Sequence, residues 1–147
     1  MNEYNNPWTY KGNQIGSGDL SDYYGFVYLI TNNSDGKKYI GKKLFYSMKT
    51  KQVKKKKKRY KAESDWKEYY GSSAELLEDI ELLGKDRFTR EIIHLCKSKG
   101  ECNYMEAHEQ FERRVLLDEN YYNSWIMVKV RKSHVLKLTK ESVGPSK

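Results

Sequence analysis

The sequence predicts one α+β domain in which a small sheet packs against helices. Two apolar runs of strand length, at residues 25–31 and 37–44, flank a string of turn-forming residues. An amphipathic helix, a third strand-like run and a second helical segment follow them. This order of strand, strand, helix, strand and helix favours an α+β fold over a parallel α/β fold. The 147 residues are enough to bury one core but not two.

The first two runs, GFVYLIT and KKYIGKKL, predict a β-hairpin, because the string NNSDG between them tolerates the positive φ angles of tight turns. Tyr28 lies in the first strand and Tyr39 in the second. Side chains alternate between the two faces of a strand, so the phenols share a face only if the loop has an even number of residues or a bulge corrects the register. Loops of two or four residues satisfy this condition. With Gly41 leaving space beside Tyr39, the two phenols would then form a polar shelf for a phosphate.

The later elements follow from periodicity and capping residues. In SSAELLEDIELLG, leucine and isoleucine recur at helical spacing, with Ser72 or Ser73 as the N-cap and Gly84 at the end. The run FTREIIHLC predicts a strand, and NYMEAHEQFERRVLL predicts a second helix with Asn103 as its cap. The segment at residues 121–138 is expected to begin as a loop and end in a short strand.

The two ends of the chain lack the hydrophobic periodicity of its centre. Residues 1–23 are polar and without periodicity, which predicts a loosely ordered lead-in before a domain at 24–130 and a basic tail at 131–147. No apolar run approaches the roughly 20 residues of a membrane span, and the N-terminus lacks the apolar core of a signal peptide. We therefore expect the chain to stay in the cytoplasm where it is made, with Cys96 and Cys102 reduced.

The net charge of +8 comes from one short segment. Residues 49–61, which we call the basic segment, hold nine of the 28 Lys and Arg residues and none of the acidic ones. The rest of the chain has 19 basic residues against 20 acidic ones. Because such a block repels itself, we expect a mobile arm or loop, and its charge density suits the phosphate backbone of a nucleic acid. A surface kept only for solubility usually mixes both signs of charge.

Two short motifs resemble the signature of the GIY-YIG nucleases. GFVY at 25–28 is similar to the first half of that signature, and KYIGK at 38–42 is similar to the second half, at a fitting distance. The stretch from Trp66 to Ile93, a helix with Glu106 and the pair Tyr122-Asn123 follow in the order of that domain, so the resemblance spans residues 24–126. It implies a three-stranded antiparallel sheet flanked by helices. The likeness is to short phage-type members, for which the compartment would be the host cytoplasm.

The resemblance implies metal-dependent hydrolysis of a nucleic acid phosphodiester to a 5′-phosphate and a 3′-hydroxyl. Glu106 would hold one divalent ion, Mg²⁺ or Mn²⁺. Tyr28 would position or deprotonate the attacking water, and Tyr39 would hydrogen-bond that water or the phosphate. Asn123 would orient neighbouring groups. A free phenol has a pKa of about 10, so Tyr28 could act as a base only beside positive charge.

Each of these residues also has a structural explanation. The two tyrosines could be cross-strand packing residues, and Asn123 could be a turn residue. Asn103 and Glu106 together match a capping box, which would explain the glutamate by a backbone N–H alone. Glu109 lies one turn further along the same helix and is the alternative metal ligand.

One expected group does not align. The family has an arginine about ten residues beyond its second tyrosine, and here Lys49 stands at that distance. Only a guanidinium offers phosphate a planar, bidentate fork. The role could pass to Lys43, Lys49 or Arg59. This departure leaves open a domain of the same fold that binds nucleic acid without cutting it.

The expected catalytic residues are therefore Tyr28, Tyr39, Lys43, Glu106 and Asn123, with Glu106 as the metal ligand. The expected nucleic-acid-binding residues are Gly41, Lys42, Lys49, Lys54, Lys55, Lys56, Lys57, Lys58, Arg59 and Ser72. DNA is the expected partner, with RNA and a homodimer left open and no membrane expected. A third hypothesis is a regulatory protein that uses its basic segment to bind an acidic protein.

Overall fold

The structure is a computed structural model that describes residues 4–135. Its strands are β1 (Thr9–Tyr10), β2 (Asn13–Gln14), β3 (Gly25–Asn32), β4 (Lys38–Leu44), β5 (Tyr46–Val53), β6 (Lys56–Glu63) and β7 (Phe88–Cys96). Its helices are α1 (Ala74–Leu83), α2 (Lys99–Glu112) and the four-residue α3 (Lys132–Val135). In this part of the chain, no helix is long and apolar enough to cross a membrane.

A five-stranded sheet with the order β2-β1-β7-β3-β4 forms the centre of the fold. β3 pairs antiparallel with both β4 and β7, which gives the three-stranded antiparallel sheet that we predicted. β1 extends this sheet by pairing parallel to β7, and β2 pairs antiparallel with β1. The predicted α+β class is confirmed, and β4 lies at one edge of the sheet.

The hairpin of β3 and β4 has the predicted even loop. The N–H of Asn32 donates to the C=O of Lys37 at 2.8 Å, so four residues lie in the loop between them. Tyr28 is paired with Gly41, two residues along the strand from Tyr39. Both phenols therefore lie on the same face of the sheet, with their ring centroids 6.1 Å apart.

Each face of the sheet has its own apolar cluster. The first contains Tyr28 and Phe26 of β3, the indoles of Trp8 and Trp66, and Leu76 of α1. The second, on the opposite face, contains Val27 and Ile40 together with Met105 of α2. Because β3 and β4 supply side chains to both clusters, α1 and α2 lie on opposite sides of the sheet.

The described part of the N-terminal segment differs from the loosely ordered lead-in that we expected. Trp8 is fully buried, and its indole N–H donates to the C=O of Trp66 at 2.7 Å. The buried guanidinium of Arg90 donates to the backbone carbonyls of Asn5 and Asn6. Single residues rather than a periodic face hold this segment, so its composition did not indicate the packing. The domain boundaries at 23 and 130 stay a prediction.

The basic segment is also regular, which corrects the expectation of a mobile loop. β5 and β6 form a second, two-stranded sheet, and the turn between them is Lys54-Lys55. We call residues 46–63 the ribbon. Its base is fixed to the core, because the N–H of Ser64 donates at 2.7 Å to the C=O of the buried Phe45. Repulsion between lysines argued against strands here, but lysine side chains that point into solvent do not block backbone pairing.

The two main helices were predicted with different accuracy. α1 is confirmed, since the Ser73 side chain accepts the N–H of Leu76 and Gly84 follows its last residue. The predicted cap of α2 is wrong, because the helix begins at Lys99 and its N-cap is Ser98, whose side chain accepts the N–H of Glu101 at 3.1 Å. The expected capping box between residues 103 and 106 is therefore absent, since both positions lie inside the helix.

The remaining predictions concern the third strand, the cysteines and the tail. The strand at 88–96 is confirmed as β7, and Cys96 and Cys102 are both buried and free. Residues 122–131 have no regular structure, and α3 follows them. Within the described residues, α3 stands where we expected a strand to begin. The rest of the predicted tail, residues 136–147, lies outside the described residues.

Candidate functional site

A cleft of about 250 Å³ lies at the edge of the sheet beside β4. It is lined by parts of β3 and β4, the loop before α1, the middle of α2 and the segment at 122–127. Seven of the residues predicted to act in the site line it: Tyr28, Tyr39, Gly41, Lys42, Ser72, Glu106 and Asn123. The cleft crosses the edge of the sheet, because it includes residues from the faces that α1 and α2 cover.

The edge of β4 is covered by backbone and side-chain groups that take the place of a further strand. The N–H of Lys38 donates to the C=O of Asn120 at 2.8 Å, and its C=O accepts the N–H of Tyr122 at 2.7 Å. The amide of Asn123 continues this pairing at Ile40, accepting its N–H at 3.0 Å and donating to its C=O at 2.8 Å. The segment at 120–123 is thereby fixed against the sheet.

The side-chain amide of Asn123 binds the backbone of the edge strand at both of its ends. Its side chain is almost fully buried, and both ends of its amide are used by the backbone of Ile40. Gln110 of α2 donates to the same C=O at 3.1 Å, so helix, edge strand and segment meet at one residue of the strand. A group held in this way fixes its neighbours rather than reacting itself. Its role in a reaction stays a prediction.

The two phenols lie close together under a glycine. A Cβ on Gly41 would lie 2.6 Å from Cζ of Tyr28, so only glycine allows this ring to pack beside β4. Burial is the main cause that raises the pKa of Tyr28 well above its usual value, and Tyr69 and Tyr39 raise it further. Burial also raises the pKa of Tyr39, whose hydroxyl is 3.2 Å from that of Ser72. Both phenols are therefore neutral at pH 7, and the Tyr28 hydroxyl is already hydrogen-bonded to the side chain of Tyr69.

Among the described residues that line the cleft, Glu106 is the one with a carboxylate. Burial raises the pKa of Glu106, although the ammonium and the backbone N–H of Lys42 act to lower it. Glu109 has different surroundings, because His94 lies 2.8 Å from one of its oxygens and Arg113 lies 2.9 Å from the other. His94 and Arg113 lower the pKa of Glu109 to about 2. Of the two candidate metal ligands, Glu106 is the one that faces the cleft.

Comparison with known proteins identifies the family. A family model described as "Putative endonuclease segE, GIY-YIG domain" matches residues 8–126. The chain belongs to this GIY-YIG family. The resemblance inferred from the two half-motifs is thereby confirmed. No curated protein and no solved structure gives a match.

The basic residues that could replace the family arginine in this GIY-YIG domain lie outside the cleft lining. Lys43 follows Gly41 by two residues on β4, forms an ion pair with Asp65 at 2.6 Å and lies 4.2 Å from the ring centroid of Tyr69. Lys49 and Arg59 lie on the exposed ribbon. Lys43 therefore contacts Tyr69, which lines the cleft.

The predicted nucleic-acid-binding residues of the GIY-YIG domain fall into two groups. Three of them line the cleft, namely Gly41, Lys42 and Ser72. The others are on the ribbon, namely Lys49, Lys54, Lys55, Lys56, Lys57, Lys58 and Arg59. Nucleic-acid binding by both groups stays a prediction.

Several residues of the cleft were not predicted as site residues. Gln110 lies one turn after Glu106 on α2, so the helical period alone would have indicated it. Trp125 and Met127 line the cleft although their side chains are 64% and 71% exposed. A tryptophan two residues after Asn123 was the signal that the sequence offered. Tyr69, which is absent from the expected site residues, also lines the cleft.

Proposed function

We propose that this GIY-YIG domain is a metal-dependent DNA endonuclease that cuts phosphodiester bonds to 5′-phosphate and 3′-hydroxyl ends. Membership of an endonuclease family supports nuclease activity. The observation that carries the finer proposal is that Tyr28, Tyr39 and Glu106, which are far apart in the sequence, line the same cleft. Phosphodiester hydrolysis requires an oriented water, charge stabilisation on the phosphate and assistance to the leaving group. The cleft offers hydrogen-bond donors and a carboxylate for these tasks.

The donor set of the cleft suits one hydrated Mg²⁺ or Mn²⁺ ion. Glu106 offers a carboxylate oxygen as a ligand, and because its pKa is raised, a nearby cation would stabilise its ionised form. Among residues 4–135 there is no group of three or more His, Cys, Asp or Glu side chains that could hold an ion. A single carboxylate fits an ion that keeps most of its waters, as Mg²⁺ does. Such an ion would supply positive charge to the phosphate and would make a bound water more acidic.

The phenols act as neutral hydrogen-bonding groups in this proposal. Tyr28 has a raised pKa, which supports positioning of the water rather than its deprotonation. Tyr39, near Ser72 just before α1, would donate to a phosphate oxygen. Lys42 brings positive charge near Glu106 and would also attract the phosphate. Asn123 and Gln110 hold β4 in place, so the donors keep their spacing when a substrate enters.

A non-catalytic nucleic-acid-binding module of the same fold is the second candidate. Two observations favour it. No arginine is among the described residues that line the cleft, and Lys43, on the same strand as Gly41, is paired with Asp65. A lysine provides one charge but no bidentate fork for a phosphate. This candidate predicts salt-sensitive binding with no cleavage.

Nicking of supercoiled plasmid distinguishes the two candidates. The wild type is incubated with Mg²⁺, with Mn²⁺ or with chelator, beside Glu106→Gln and the matched control Glu109→Gln on the same helix. We expect nicking by the wild type and by Glu109→Gln only with metal, and none by Glu106→Gln. DNA ligase should reseal the nicks directly, because it joins a 5′-phosphate to a 3′-hydroxyl. Metal-independent nicking, or equal nicking by Glu106→Gln, would rule out the proposed role of Glu106. Binding without nicking would favour the second candidate.

A further inference from the structure

The ribbon has a regular structure that its own contacts do not explain. Every residue from 47 to 61 except Val53 is exposed, so both faces of the ribbon meet solvent. Lys51 stands directly opposite Lys58 across the two strands. An isolated two-stranded ribbon is marginally stable in water, and directly opposed like charges destabilise it further. A partner that neutralises the lysines would remove this repulsion.

The register of the ribbon sorts its side chains into two chemically different faces. One face, which we call the lysine face, carries Lys49, Lys51, Lys56 and Lys58 with Tyr60. The other, which we call the mixed face, carries Met48, Thr50, Gln52, Lys57, Arg59 and Lys61. The ammonium of Lys51 lies 5.4 Å from the ring centroid of Tyr60, as expected for two residues on one face. The polar groups of the lysine face are mainly ammonium charges, whereas the mixed face also presents an amide, a hydroxyl and a guanidinium.

The turn of the ribbon keeps lysine where glycine or asparagine would be less strained. Lys54 and Lys55 have φ values of +47° and +65°. Two-residue hairpin turns with positive φ at both positions strongly prefer Asn-Gly or similar pairs. Lysine in both positions costs stability and gives the turn two further positive charges. The two lysines therefore favour binding of a polyanion at the tip and lower the stability of the turn.

The base of the ribbon is rigidly joined to the element that lines the cleft. The side-chain hydroxyl of Ser64 donates to the C=O of Leu44 at 2.6 Å, and Glu63 accepts the indole N–H of Trp66 at 2.8 Å. Phe45, between β4 and β5, is fully buried. A molecule bound along the ribbon would thus be held in a defined position relative to β4.

We infer that the ribbon enters the major groove of duplex DNA with its mixed face toward the bases, and that Gln52 and Arg59 determine a sequence preference. This inference rests on the proposed function. The major groove of B-form DNA admits a two-stranded β-ribbon, whereas that of A-form RNA is too narrow and deep. Arginine pairs bidentately with guanine and glutamine with adenine, and Thr50 suits the thymine methyl group. The lysine face and tip contact phosphates on both sides of the groove, which adds affinity without sequence information.

Binding measured without metal tests this inference separately from cleavage. The full chain in chelator is used to select binders from a random duplex pool, and affinities for the selected and a scrambled duplex are compared by fluorescence anisotropy. Gln52→Ala with Arg59→Lys leaves the net charge unchanged, and each substitution is also measured alone. The matched control is Lys51→Gln with Lys58→Gln, a directly opposed pair on the lysine face.

One double variant should change the sequence preference of binding, and the other should change its salt dependence. Gln52→Ala with Arg59→Lys should lower the ratio of selected to scrambled affinity by about 5- to 150-fold for each bidentate base pairing that the substitution removes, with an unchanged salt dependence. Lys51→Gln with Lys58→Gln should keep that ratio and reduce the slope of log affinity against log salt by about 1.8. All these residues are exposed, and thermal unfolding checks that each variant folds.

Two results would overturn the inference. One is a wild type without preference between the duplexes, or a preference that survives Gln52→Ala with Arg59→Lys. The other is equal affinity for duplex DNA, duplex RNA and single strands of the same length, which would make the ribbon a general polyanion binder. Plasmid nicking without sequence preference would support the proposed function and reject this inference. Sequence preference without nicking would support this inference and reject the proposed cleavage.

Discussion

Asn123→Ala tests whether the Asn123 amide holds the edge of the sheet. The substitution removes two hydrogen bonds to Ile40, of 3.0 and 2.8 Å. The C=O of Ile40 keeps its bond from Gln110, whereas its N–H loses the Asn123 acceptor in a buried setting. One lost hydrogen bond costs about 0.5–1.5 kcal/mol and an unsatisfied buried N–H about 1–3 kcal/mol. The expected loss in the free energy of unfolding is therefore roughly 2–4 kcal/mol.

Urea unfolding and plasmid nicking measure the two consequences of Asn123→Ala. The control is Asn120→Ala on the same segment, where the bond to Lys38 uses the backbone C=O and survives the substitution. Because Asn120 is exposed, its change should stay within about 0.5 kcal/mol of wild type. Equal stability of Asn123→Ala and wild type would refute the positioning role. Abolished nicking with unchanged stability would mean that Asn123 acts on the substrate directly.

Three further substitutions address the cleft and its surroundings. Glu106→Gln should raise the melting temperature in chelator at pH 8, because burial raises the pKa of Glu106 in the folded state and its ionised form opposes folding. This gain should disappear as the pH falls below the unfolded-state pKa of a glutamate, about 4.3, and a gain that persists there would contradict the cause given. Gly41→Ala should cost about 1–3 kcal/mol and abolish nicking, because its Cβ would meet the ring of Tyr28 at 2.6 Å. Gly12→Ala, whose Cβ meets nothing within 4 Å, is the control and should keep nicking despite its φ of +87°. Glu109→Gln should flatten the loss of stability between about pH 4.5 and 2, because the pKa of Glu109 is lowered to about 2 and its favourable interactions disappear as the carboxylate is protonated over that range. If urea unfolding showed the same loss of stability with falling pH in Glu109→Gln and wild type, His94 and Arg113 would not stabilise this charge.

The elements that local sequence determines were predicted correctly. Turn residues and parity indicated the hairpin of Tyr28 and Tyr39, and spacing with Ser73 and Gly84 indicated α1. These features depend on neighbours within a few residues, so a single sequence contains the information. The start of α2 was missed because Asn103 and Ser98 are both acceptable caps, and only tertiary packing decides between them.

Seven of the predicted site residues line one cleft, whereas the residues that hold its backbone in place were not predicted. Family motifs indicated the tyrosines and Glu106, but the pairing of Asn123 and Gln110 with one carbonyl depends on where distant segments meet. Arg90 was missed for the same reason. Its guanidinium donates to the backbone carbonyls of residues 5, 6 and 69, so no acidic residue in the sequence indicated these partners.

The cleft combines features that lower the stability of a fold, and such features are common at functional sites. A partly buried glutamate with a raised pKa and a glycine whose Cβ would meet the ring of Tyr28 lie within one small region. Across residues 4–135, no buried side-chain nitrogen or oxygen lacks a hydrogen-bond partner. Perturbed titratable groups cluster at active sites because their chemistry needs the burial that stability opposes. A module that only binds a phosphate backbone needs surface cations, which the ribbon already provides. A carboxylate beside a phosphate site repels the substrate unless a cation lies between them, so the place of Glu106 in the cleft supports our proposal of cleavage over binding alone.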